Sequence, residues 1–92
     1  MKLLWNEEKN QLLKETRGVS FDEVVDAIAE GLFIGPETNP TREEQKRIIV
    51  LIGGYPHVVP FVIDENGNWF LKTIFPSRKL KERFETDGRN KD

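Results

Sequence analysis

The chain has 92 residues, 37% of them hydrophobic and 33% charged, with a net charge of −2. That length allows one core, because halves of it would be too small for burial to offset chain entropy. The charge balance excludes a protein that coats nucleic acid by bulk electrostatics, zero cysteines exclude disulfides and thiolate metal sites, and no apolar run approaches the roughly 20 residues of a membrane-spanning helix.

Residues 1–20 show no signal-peptide pattern, so the expected location is cytoplasmic. Residues 2–5 read as a short strand, and Asn6 as the cap of a helix through Lys14 with Glu7 and Glu8 in its first turn. After a turn at Gly18, Ser20 and Glu23 form a capping box, with Val19 and Val24 as a hydrophobic staple. The spacing of Phe21, Val24, Val25 and Ile28 predicts a second helix, closed by Gly31 as a left-handed C-cap.

Leu32 to Ile34 reads as a brief extended segment and Gly35 to Glu44 as a polar loop expected to move. Three strands then form an antiparallel meander: 47–52, 57–63 and 69–75, joined by Gly53-Gly54 and Asn66-Gly67 turns. Pro60 cannot donate to a ladder, which predicts a bulge or interrupted pairing in the middle strand. Ser77 is read as the cap of a last helix carrying Leu80 and Phe84, and residues 85–92 as a disordered tail beyond a single 1–84 domain.

One histidine and scattered carboxylates supply no metal-ligand spacing, so neither metal nor cofactor is expected. A serine nucleophile is disfavoured because Ser20 and Ser77 both read as caps. The basic side chains carry the remaining options. Arg78 and Lys79 open a helix where the dipole favours anions, so they either extend into water or help the N-terminus hold a phosphate. Lys72 shares an alternating face with Phe70 and Ile74, either snorkelling past the core edge or projecting from the sheet. Arg47 is either a solvated strand end or a phosphate contact. Arg17 is a surface group or a phosphate ligand, and His57 a strand residue or a proton carrier. Trp5 and Trp69 suit core packing better than base stacking.

Three blocks, taken in order, resemble the BrnT family of bacterial toxins, small RelE-like ribonucleases of type II toxin–antitoxin modules. They are Trp5 to Asn10, the Arg17-Gly18-Val19-Ser20-Phe21 entry, and the Thr73 to Arg78 junction. Trp5, Lys9, Gly18, Val19, Ser20, Phe21 and Arg78 fit the family pattern, whereas Asn6 stands where Asp is usual and Arg17 where His is common. The resemblance implies a RelE-like α+β fold and metal-independent RNA cleavage through 2′-hydroxyl attack. It assigns charge stabilisation to Arg78, Lys72 and Arg47, and proton or phosphate handling to His57 or Arg17. It also implies a ribbon-helix-helix antitoxin as partner, RNA as substrate, and operator DNA reached only through the antitoxin. Two rivals stand beside it: a noncatalytic, degenerate toxin fold that binds an antitoxin and tunes transcription, and a domain that binds a small anion at the Ser77 helix start.

Overall fold

The computed structural model describes residues 1–86 as an α+β domain with three helices and a mixed sheet. In chain order the elements are β1 (Leu3–Leu4), α1 (Glu7–Arg17), α2 (Phe21–Ala29), β2 (Phe33–Thr38), β3 (Lys46–Ile52), β4 (Tyr55–Ile63), β5 (Trp69–Leu71), β6 (Phe75–Pro76), a 3-10 turn (Arg78–Leu80) and α3 (Lys81–Thr86). The strands lie in the order β1-β5-β4-β3-β2, and β6 also pairs with β4. β1 runs parallel to β5, and the other pairings are antiparallel.

Local chemistry sets the two helices that cover the sheet. Asn6 accepts a hydrogen bond from the Lys9 N–H at 3.0 Å and starts α1, which runs three residues past the expected Lys14. Both halves of the Ser20–Glu23 capping box form, at 2.9 and 3.3 Å. Asn10, only 1% exposed, ties the helices together, its Oδ1 accepting from the Phe21 N–H at 2.7 Å and its Nδ2 donating to Asp22 at 3.3 Å. At the other end of α2 the Gly31 N–H donates to Ile28 and the Leu32 N–H to Ala27, a Schellman closure that uses the positive φ of Gly31.

The core fills the space between these helices and one face of the sheet. Leu13, Phe21, Val24 and Ala27 meet Ile48, Val50, Val59, Phe61, Leu71 and Ile74. Trp5 stacks on Phe21 at 5.5 Å between ring centres and Trp69 on Phe61 at 4.0 Å, so both tryptophans pack against the core. Strand alternation sends Ile49, Leu51 and Val58 to the other face, where Leu80 and Phe84 cover them.

Several expectations need correction. Residues 35–38 belong to a strand, not a loop: β2 runs through Gly35 and Pro36, joined by a cis peptide, and its pairing with β3 shifts register between Ile34 and Glu37. Gly35 is required there, with φ at 105° and only 3.3 Å between a would-be Cβ and the Glu37 nitrogen. The loop that remains, residues 39–45, is closed by hydrogen bonds at its base. Buried Asn39 donates to Gln45 twice, backbone N–H to carbonyl and Nδ2 to Oε1, and accepts from the Thr41 N–H and hydroxyl through Oδ1.

The last strand of the meander is broken. Between the Val58–Phe75 and Phe61–Leu71 pairs β4 advances three residues and its partner four, so residues 72–74 bulge and split β5 from β6. Pro60 sits opposite this break. Its carbonyl accepts from the Lys72 N–H at 2.8 Å, so its missing donor also faces the β5 side, while its pairing with Arg47 on the β3 side is continuous. The extra residue changes the phase of the chain, and Ile74 joins the helix-side core instead of sharing a face with Lys72.

Ser77 makes no side-chain cap bond, and the chain continues beyond it as a 3-10 turn and a six-residue helix rather than one capped helix. Residues 85 and 86, assigned by sequence to the tail, complete that helix. The remainder of the expected tail, 87–92, lies outside the described residues.

Candidate functional site

The sheet separates the five sequence-selected residues. Arg17 and His57 line a cavity of about 470 Å³ on the helix side, together with Val19, Phe75 and Pro76. Arg47 and Lys72 line a cavity of about 540 Å³ on the opposite face, walled by Val58, Pro60, Thr73, Phe75 and the 39–45 loop. Arg78 lines neither. It is exposed and begins a 3-10 turn, and a helix as short as α3 with an unused Ser77 hydroxyl makes no phosphate-binding N-terminus. The small-anion site expected at Ser77 therefore loses its physical basis.

On the open face the organising group is Glu37, which sequence reasoning placed in a loop. Its carboxylate accepts from Arg47 Nε at 2.7 Å and Nη2 at 2.6 Å, and from Arg83 at 3.0 and 3.1 Å. The Arg83 hydrogen bond holds the Glu37 carboxyl below its ordinary value; burial pushes it up, and the bond and charge of Arg47 lower it further. Glu37 thus locks one edge of the Arg47 guanidinium and leaves Nη1 for another partner, so Arg47 is a positioned group rather than a solvated strand end.

Lys72 lies in the strand break with its backbone held by Pro60. Its Nζ sits 5.2 Å from the centre of the Phe70 ring, and no carboxylate among the described residues pairs with it. Arg42 adds a third cation to the lining, paired with Glu44 at 3.6 Å and largely exposed, where solvent screens the pair. The charged residues of this lining are Arg42, Arg47 and Lys72.

On the helix side, Arg17 Nη1 donates to the Ile74 carbonyl at 2.6 Å, satisfying an acceptor freed by the bulge. His57 is 8% exposed and its Nδ1 donates to the Tyr55 carbonyl at 2.8 Å. A carbonyl can only accept, so Nδ1 carries a proton, which leaves Nε2 as the acceptor whenever the ring holds only that one proton. His57 is thus well oriented but stands on the other face of the sheet from Lys72 and Arg47.

Sequence reasoning missed Glu37 and Arg83, whose partners are 10 and 46 residues away along the chain. Among the described residues no group of three or more histidines and carboxylates is placed to hold a metal ion, and no helix is long and apolar enough to cross a membrane. No protein family, curated protein or solved structure matches this chain.

Proposed function

We propose that this chain is a BrnT-like type II toxin with a RelE-like arrangement, a ribonuclease that works on RNA phosphate in the open-face cavity. The observation that carries the reading is Lys72, a lysine without a carboxylate partner among the described residues, lining the same cavity as a guanidinium that Glu37 holds in place. Such an arrangement suits a phosphodiester whose charge grows in the transition state. The ribose 2′-oxygen attacks the adjacent phosphorus, the bond to the 5′-oxygen breaks, and a 2′,3′-cyclic phosphate and a 5′-hydroxyl result. The 2′-hydroxyl proton leaves to water and the 5′-oxygen takes one from water, while Lys72 and Arg47 Nη1 stabilise the phosphorane charge. A ribbon-helix-helix antitoxin is the partner this reading implies, covering the cavity and bringing operator DNA to the complex.

The noncatalytic alternative has its own support, since His57 lies across the sheet and Arg47 already shares a carboxylate with Arg83. Digestion of RNA by the purified chain in EDTA separates the two. Cyclic-phosphate ends are expected, and Lys72→Met should slow cleavage about a hundredfold, or about 2.7 kcal/mol, without moving the unfolding midpoint. Intact RNA alongside retained antitoxin binding would select the noncatalytic reading.

A further inference from the structure

The helix-side cavity and the open-face cavity meet at one side chain. Phe75 lines both, is 38% exposed, and stands on β6 immediately beyond the bulge that separates it from β5. Lys72 and Thr73, in the bulge, line the open-face cavity, and His57 and Arg17 line the helix-side one.

The groups on the helix side are held as a binding site holds them. His57 is more than nine-tenths buried, its ring orientation is fixed through Nδ1, and Nε2 has no protein partner among the described residues. No fully buried side-chain nitrogen or oxygen among the described residues lacks a partner, so Nε2 is not sealed in the core, and the ring is part of the cavity lining. Arg17 is anchored by Nη1 on Ile74 and keeps its Nε and Nη2 donors. Val19, Phe75 and Pro76 supply apolar walls around one acceptor and one cation. A ligand that satisfies all of these has a flat ring with an N–H donor and an anionic group attached.

We propose that this cavity is a single-nucleotide subsite, taking the base and phosphate of the RNA residue next to the phosphate held by Lys72 and Arg47. The base lies against Phe75 and donates an N–H to His57 Nε2, and the phosphate meets Arg17. The strand crosses from one cavity to the other over Phe75, the side chain that lines both. This placement rests on the RNA reading of the open face, but the subsite itself is tested without RNA cleavage.

His57 is the sole histidine, so its imidazole signals in a proton–carbon NMR spectrum report on this cavity alone. Titration with uridine and adenosine 3′-monophosphates should shift those signals saturably, and inorganic phosphate should bind about tenfold more weakly because it lacks the ring. Phe75→Leu, a change at an exposed position, should weaken the nucleotide about tenfold and leave phosphate unaffected. Unmoved His57 signals at saturating nucleotide overturn the subsite, as does phosphate binding as tightly as nucleotide. RNA cleavage that depends on Lys72 while His57 stays silent to nucleotide leaves the open-face reading standing and removes the subsite. Saturable nucleotide binding at His57 with uncut, unbound RNA does the reverse.

Discussion

The two faces of the sheet are closed in different ways. On the helix side, eleven buried apolar side chains from two helices, three strands and the segments that join them interlock, and Trp5 and Trp69, stacked on Phe21 and Phe61, seal the margins. On the open side the buried apolar set is Ile49, Val58 and Phe84; beyond it the surface is held by Glu37 between two arginines and then gives way to a cavity. One face supplies the hydrophobic stabilisation, which leaves the other free to keep cations and open volume that would otherwise cost stability. The division arises from period-two alternation on β3 and β4, whose even and odd positions serve opposite faces.

The largest effect should therefore come from the helix side. Phe61→Ala removes a fully buried ring that stacks on Trp69, at a cost of about 3–5 kcal/mol, a large share of the roughly 5–15 kcal/mol available to a domain of this size. Leu80→Ala, on the half-buried cover of the open face, should cost about 1–2 kcal/mol. Denaturant unfolding of both variants measures the contrast. Equal losses would mean that the open-face cover is as much a core as the helix side.

Glu37 sharpens the same comparison through pH. Its folded-state carboxyl is held below the ordinary value of 4.5, so the unfolded chain takes up the proton first. The resulting stabilisation is present in full well above pH 4.5 and is lost as pH falls through the folded-state value. Glu37→Gln should cost about 1–2 kcal/mol at neutral pH, a figure kept small because the carboxylate is partly exposed. The stability difference from wild type should shrink steadily below pH 4.5. A difference that holds constant into acid would show that the glutamate acts through packing rather than charge.

Much of the helix side was legible in the sequence because its signals are local. Asn6, the Ser20–Glu23 box, Gly31 and the Gly53-Gly54 turn, with φ of 61° and 78°, each act within a few residues. The open face was less legible because its parts meet across long separations. Gly35-Pro36 reads as loop chemistry, yet β3 recruits the segment as a strand and thereby delivers Glu37 to Arg47 and Arg83. Pro60 marks the interrupted pairing beside it, but nothing local shows that the facing segment carries the extra residue at 72–74, which moves Ile74 into the core. Arg47 and Lys72 were both named from sequence; that they share a cavity, and that His57 and Arg17 do not enter it, depended on strand phase.

The smallest effect separates two serines that read alike in the sequence. Both precede a helical segment, but Ser20 accepts from the Glu23 N–H and its own N–H donates back to Glu23, whereas the Ser77 hydroxyl makes no cap bond. Ser20→Ala should lower stability by about 1 kcal/mol, since an orphan donor at the start of α2 loses its partner near the core. Ser77→Ala should stay within about 0.5 kcal/mol of wild type, as a surface change does when no cap is lost. Its backbone N–H still donates to the Pro56 carbonyl at 3.0 Å, so the chain is held at this point whatever the side chain. Parallel denaturant curves for the two variants give the measurement. A loss at Ser77 equal to that at Ser20 would mean that the hydroxyl caps the terminal turn in solution, which would restore to that turn a physical basis for holding an anion.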